Sequence, residues 1–283
     1  MSDRTTLERD GFEFLAGELD LARDIEPIQR ELGLLILRAA ELCGTTYDIP
    51  DAPGDFDRGY LDLVERFPAA HVLVYDGCKA LPSFQRLIVN ERIVDAFKDY
   101  RNTALCGSAF NTCGIRIDRP GDEKHLAPWH QEFPYQFRSL DGMTFWIPLV
   151  PVDADGGPVV LARGSHREGP IELVDTTGSA DADKARGEYG GWRVREEEAI
   201  LARYDRAQYD TKPGDVLAFD FLTMHASAPN HSRRARWTVQ IRYFNYADPY
   251  GGSIGWAGGI KHGKSFAAMN EAIADAAAFA VKR

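Results

Sequence analysis

The chain has few cysteines, no long apolar run and no basic tract, and each shortage narrows what it can be. Its four cysteines, Cys43, Cys78, Cys106 and Cys113, stand in 283 residues with no C-x-x-C pair among them. That spacing argues against a zinc knuckle or a thioredoxin-type motif. They read as reduced, mostly buried thiols of a cytoplasmic protein. A chain this long buries enough core to fold without disulfides. No apolar stretch approaches the ~20 residues of a membrane span. The opening MSDRTTLERDGFEF carries no apolar signal core, so no membrane association or secretion is expected. The formal net charge is −10, and the densest basic cluster is Arg233-Arg234-Ala235-Arg236. Nucleic acid is therefore not an expected partner. The acidity favours a neutral or cationic polar metabolite over an acyl-CoA as ligand.

What is present divides in two. Ile28, Leu32, Leu35, Ile36, Ala39 and Ala40 recur at helical spacing, as do Phe84, Leu87, Ile88, Ile93, Val94 and Phe97, so the first hundred residues read as mainly helical. Residues 48–59, rich in Pro, Gly and Asp, read as a loop. From about residue 108 short strands take over, at 110–117, 143–150, 159–162, 216–221 and 237–246. Turns at Asp153-Ala154-Asp155-Gly156-Gly157-Pro158 and Lys212-Pro213-Gly214-Asp215 punctuate them. This pattern predicts a single domain over 1–283, mainly β with flanking helices. An all-β barrel or double-sheet roll at 106–246 is supported by helices at 1–105, and a helical extension follows at 247–283. The charged stretch 175–208 interrupts the strands, with a short helix near 196–204. Whether it is a lid or a solvated insertion is open at this stage.

Three features carry chemistry. His130 and Glu132 are two apart, and on a strand they project to one face, where both reach one metal ion. His225 follows the apolar run 216–221 and completes a two-histidine, one-carboxylate set. Arg236 lies eleven residues further on. Its strand places Arg236, Thr238, Gln240 and Arg242 on one face and Trp237, Val239, Ile241 and Tyr243 on the other. If the apolar face packs on the helices, the polar face lines the barrel interior. Polar groups there need partners or a ligand. A buried arginine suits a carboxylate, and the Thr238 hydroxyl reaches the same group.

Together, His130-Gln131-Glu132, Asp155-Gly156-Gly157-Pro158, Arg163-Gly164-Ser165-His166-Arg167, Gly214-Asp215-Val216, His225 and Arg236 resemble the phytanoyl-CoA dioxygenase-like family of Fe(II)/2-oxoglutarate oxygenases, over roughly residues 70–246. The resemblance implies a double-stranded β-helix, or jelly roll, with helices on its larger sheet, and Fe(II) held by His130, Glu132 and His225. It also implies 2-oxoglutarate held by Arg236, with Thr238 and Gln131 beside it, and O2 as co-substrate. His166 belongs to a structural turn. One departure is Glu132, where the family usually has aspartate. The extra methylene must fold back or the backbone must stand further away. A carboxylate at this position disfavours a halogenase.

The implied activity is hydroxylation or oxidative cyclisation of a polar small molecule, as in natural-product biosynthesis. Arg116, Phe133, Trp192, Asn111 and Arg242 are candidate substrate residues, with Tyr135 and Trp146 as further candidates. Trp146 is read first as packing. Two alternatives stay open: a cupin-like metal-dependent hydrolase or isomerase that does not use 2-oxoglutarate, and a non-catalytic metal-containing sensor. Oligomeric state is not legible.

Overall fold

The computed structural model describes residues 4–176, 192–259 and 266–281. A short helix α1 (Arg4–Asp10) leads into strand β1 (Phe12–Leu15). Helix α2 (Glu26–Leu42) follows, with Pro27 in its first turn, where a missing N–H costs nothing. Helices α3 (Tyr60–Arg66), α4 (Pro68–Gly77), α5 (Pro82–Ile88) and α6 (Glu91–Arg101) complete the first section. The apolar period through Ser83–Tyr100 is broken in the middle. Asn90 adopts an extended backbone there, and its side chain accepts from the Arg92 N–H, capping α6.

The strands that follow are β2 (Cys106–Ser108), β3 (Gly114–Asp118), β4 (Gly142–Pro148), β5 (Val159–Ala162), β6 (Leu173–Asp175), β7 (Trp192–Val194), β8 (Arg206–Ala207), β9 (Val216–Asp220), β10 (His225–Ser227) and β11 (Arg236–Asn245). Between them lie α7 (Phe133–Gln136) and α8 (Glu197–Leu201), and α9 (Pro249–Ser253) and α10 (Phe266–Val281) close the chain. The strand expected at 110–117 begins later, because Phe110–Thr112 forms a 3-10 turn.

The larger sheet runs β1-β9-β4-β11-β2, with β3 also paired to β11. β1 comes from the section expected to be helical. The smaller sheet runs β10-β5-β8, and β6 pairs with β7. All pairings are antiparallel. Two facing antiparallel sheets with helices on the larger one are the expected jelly roll.

The parity of β11 sets the architecture. Trp237, Val239, Ile241 and Tyr243 join one apolar core with Ile28, Leu32 and Ile36 of α2 and Phe97 of α6. Trp237 stacks at an angle on Phe56 and Tyr60, with ring centres 5.1 and 4.9 Å away. Its indole N–H donates to Asp57 Oδ2 at 3.0 Å. Gln29 on α2 donates to the Leu149 carbonyl at 2.8 Å, tying helix to sheet. The opposite face of β11 looks between the two sheets. The Asp-Gly-Gly-Pro turn needs its second glycine, since Gly157 has φ +75° and a Cβ there would lie 2.6 Å from the Ala228 carbonyl oxygen.

A second core joins α10 to the site region. Met269, Ile273 and Ala276 pack with Phe133 and Phe137 of the α7 segment and with Tyr250. The Ala-rich C-terminal helix therefore rests on its own barrel. The short helix expected near 196–204 is α8. Residues 177–191 of the interruption at 175–208 lie outside the described residues. Among the described residues, no helix is long and apolar enough to cross a membrane.

Candidate metal centre

His130 and His225 face each other across an antiparallel bridge. Each donates its backbone N–H to the other's carbonyl, both at 3.0 Å. Directly opposite residues of an antiparallel pair present their side chains on one face. The imidazole rings accordingly lie 4.1 Å apart, centre to centre. His130 Nδ1 contacts the Pro128 carbonyl at 2.7 Å, and His225 Nδ1 contacts that of Thr223 at 2.9 Å. A carbonyl only accepts, so Nδ1 carries the proton in each ring and Nε2 is the nitrogen that can ligate a metal.

Glu132 arrives by a different route from the one expected. It is not on a strand. Its backbone is helical (φ −71°, ψ −30°), at the start of α7, where Pro134 fits the first turn. The side chain nonetheless comes back to the histidines, with Oε2 3.9 Å from His225 Nε2. One ligand atom from each of the three residues lies within 4.8 Å of the others, and all three residues are buried.

The electrostatics suit a cation. Burial pushes both histidines below their usual pKa. For His130 the neighbouring His225 adds to the effect, while Glu132 opposes it in both rings. Both rings are neutral at neutral pH, the state that ligates metal. Burial alone would raise the Glu132 carboxyl, but the Arg242 guanidinium overrides it and holds the group ionised, well below the usual carboxylate range.

A cavity adjoins the cluster, lined by Thr144, Trp146, Phe219, Ser227, Arg236 and Gln240 as well as the three ligand candidates. Arg236 is buried. It bonds Asp118 Oδ2 through Nε (3.2 Å) and Nη2 (2.8 Å), and Ser227 Oγ at 3.3 Å. Asp118 is also held by Arg116 Nη2 at 2.8 Å. Burial would raise its pKa, but Arg116 and Arg236 draw it well below the usual range. Three guanidinium groups (Arg116, Arg236 and Arg242) thus meet two carboxylates (Asp118 and Glu132), an excess of one positive charge before any metal binds. The hydroxyls of Thr144 and Thr238 are buried without a hydrogen-bond partner. Orphaned buried hydroxyls are uncommon and call for a ligand or ordered water.

These observations fit a divalent metal. The donor set is two neutral imidazoles and one carboxylate, beside an arginine and unsatisfied hydroxyls. Other expected residues lie elsewhere. Gln131 turns away from the cavity. Its amide donates to the Gly169 and Leu222 carbonyls (2.8 and 2.7 Å) and accepts from the Ile171 N–H (2.9 Å), so it ties loops together rather than meeting the co-substrate. Phe133 is fully buried against Phe137, a core residue and not a pocket wall. Arg116 braces Asp118 and the His125 carbonyl. Asn111 is exposed on the 3-10 turn before β3. Trp192, half-buried on β7, packs at the edge of the second core. Arg242 bonds Glu132 directly. Trp146, read first as packing, lines the cavity. Sequence reasoning did not single out Thr144, Phe219, Ser227 and Gln136. Thr144 had a signal, as the polar residue within the apolar run Met143–Val150.

The 1-deoxypentalenic acid 11-beta-hydroxylase of Streptomyces arenae is 36% identical over 112 residues, and that of Streptomyces exfoliatus is 35% identical over 112 residues. Each match spans 38% of this chain and 36% of the relative, so it covers about a third of the relatives' length. The solved structure of the epimerase SnoN in complex with Fe3+, alpha ketoglutarate and nogalamycin RO shares the fold at a TM-score of 0.55. It is 15% identical, over 86% of this chain and 82% of that one. The carbocyclase SnoK from nogalamycin biosynthesis scores 0.54 at 14% identity, over 86% and 82%. EctD from S. alaskensis, with 2-oxoglutarate and 5-hydroxyectoine, scores 0.53 at 18% identity, over 87% and 76%. The family model for phytanoyl-CoA dioxygenase (PhyH) matches residues 63–238, from α3 to the start of β11. The chain belongs to the phytanoyl-CoA dioxygenase family.

Proposed function

We propose that the chain is an Fe(II)- and 2-oxoglutarate-dependent dioxygenase that hydroxylates or oxidatively cyclises a polar small molecule in natural-product biosynthesis. The observation that carries this reading is the buried His130–Glu132–His225 cluster beside the buried Arg236. The relatives support the setting. Two are named as hydroxylases of 1-deoxypentalenic acid, and two of the similar structures belong to nogalamycin biosynthesis. The four cysteines are free thiols, which supports a reducing, cytoplasmic location.

The placement of the residues supports the following roles. His130, Glu132 and His225 would hold the metal through two neutral nitrogens and one anionic oxygen. Arg236, fixed by Asp118 and Ser227, receives the far carboxylate of 2-oxoglutarate. The hydroxyls of Thr144 and Thr238 gain in that ligand the acceptors they lack in the protein. Trp146 and Phe219 supply apolar walls that exclude water and strengthen these contacts. Iron with 2-oxoglutarate and O2 supplies the oxidant for an unactivated C–H bond, and the protein supplies orientation and exclusion of solvent.

The reading is tested by mass spectrometry of reactions containing Fe(II), 2-oxoglutarate and O2, with a panel of terpenoid and polyketide substrates. Succinate should form from 2-oxoglutarate in step with a product gaining oxygen or losing two hydrogens. Metal-dependent conversion of a substrate without succinate would instead assign a hydrolase or isomerase.

A further inference from the structure

Arg242 was a candidate substrate residue, yet its guanidinium is engaged with the carboxylate of the metal cluster. Nε donates to Glu132 Oε1 at 2.7 Å, and Nη2 reaches Oε2 at 3.3 Å. The arginine is itself pinned. Nη1 donates to the Thr112 carbonyl, and Nη2 donates to Gln240 Oε1 at 2.7 Å. Gln136, one helical turn after Glu132, donates to the same Oε1 at 2.7 Å. The Thr112 hydroxyl donates to Gln136 Oε1 at 2.5 Å. Glu132, Gln136, Thr112 and Arg242 therefore form a closed ring of hydrogen bonds, and Glu132, Gln136 and Arg242 are buried.

The ring treats the two carboxylate oxygens unequally. Oε1 takes two short bonds from charged and neutral donors. Oε2 has one long contact with Arg242 and lies on the side of the histidines. We propose that Arg242, seconded by Gln136, is a positioning residue that folds the longer glutamate side chain back and reserves Oε1, so that Glu132 meets the metal through Oε2 alone. This rests on the oxygenase reading and deepens it. A carboxylate held to one oxygen makes the protein a three-atom ligand. An octahedral metal then keeps three positions, enough for a chelating 2-oxoacid and O2. A glutamate free to bind through both oxygens would take one of them. Partners that orient a ligand in this way typically account for about 10–100-fold in metal affinity.

The test is anaerobic binding of Fe(II), and separately of Co(II), to the full chain and its variants. Arg242→Ala should weaken Fe(II) binding by about 10–100-fold. Arg242→Lys should recover part of that loss, because an ammonium restores the charge but not the parallel pair of bonds. The visible absorption of bound Co(II) should also change in intensity and position, since Oε1 is no longer reserved; a purely structural role would not produce that. Glu132→Asp should weaken metal binding in the wild-type background and add little in Arg242→Ala. If Arg242→Ala does not fold, Arg242→Lys and Gln136→Leu carry the same measurement. Variants that bind both metals as the wild type does, with an unchanged Co(II) spectrum, overturn the proposal while leaving the oxygenase reading intact. Loss of substrate affinity alone would return Arg242 to a substrate role. A wild-type chain that binds neither metal removes the oxygenase reading itself.

Discussion

Arg236 and Arg242 stand on one face of one strand and do different work, because each meets a different carboxylate. Arg236 pairs with Asp118, which no proposed metal ligand contacts among the hydrogen bonds described, whereas Arg242 pairs with Glu132. Their losses should therefore separate. Arg236→Ala is expected to weaken 2-oxoglutarate binding by about 30-fold or more, the scale of truncating one partner of a buried charged pair, with Fe(II) affinity close to wild type. Titrating the co-substrate into metal-loaded protein checks this, and equal loss of both affinities would contradict it. Thr144→Val and Thr238→Val make a second contrast. In the metal-free protein neither hydroxyl has a partner to lose, so stability should hold or rise. The 2-oxoglutarate affinity should fall for whichever hydroxyl meets the ligand, and chemical denaturation beside ligand titration reads both. At this scale the sequence was legible where a residue type has one use. A histidine, a carboxylate, a second histidine and an arginine, in that order, already pointed to the cluster. Gln131 and Phe133, adjacent to the ligands in sequence, were misleading. Neighbours along a chain leaving an extended segment for a helical turn point in unrelated directions.

β11 shows what an element contributes beyond its residues. Its first eight residues, Arg236 to Tyr243, alternate between an apolar face on the helices and a polar face on the site, so one strand ties the hydrophobic core to the chemistry. Trp237 is fully buried on the helix side. Trp237→Ala should cost about 3–5 kcal/mol of stability and leave Asp57 without its indole donor. Metal affinity of the folded fraction should stay near wild type. Denaturant unfolding and Fe(II) binding together check the two halves. Alternation made β11 legible from sequence, just as helical spacing made α2 legible. β1 was not, because Phe12–Leu15 is only four residues long and becomes a strand by pairing with β9, more than two hundred residues away. The route of Glu132 was hidden for a related reason. His130 is held extended by its bridge to His225, and the chain turns helical immediately afterwards, a change of conformation that two-residue spacing does not reveal.

For the whole molecule, burial of histidine sets the response to acid. His71, His130, His166 and His225 are all held below their ordinary pKa, burial being the largest cause in each. They protonate at lower pH in the fold than in the unfolded chain, which takes up protons near pH ~6.5. Stability from this source is present above that pH and is lost as pH falls through it. Asp118 and Glu132, both depressed, extend the loss from the usual carboxylate range downward. The metal-free protein should therefore melt at steadily lower temperature from about pH 7.5 to about 5.5, and a flat or rising profile would contradict this balance. One spectrum tests the metal centre most directly. Fe(II) and then 2-oxoglutarate are added to metal-free protein under strict anaerobiosis, and the visible absorption is recorded. The account predicts a weak charge-transfer band that neither addition gives alone, abolished by His225→Ala and weakened by Arg236→Ala. Wild-type protein that binds Fe(II) yet shows no band with 2-oxoglutarate would contradict it.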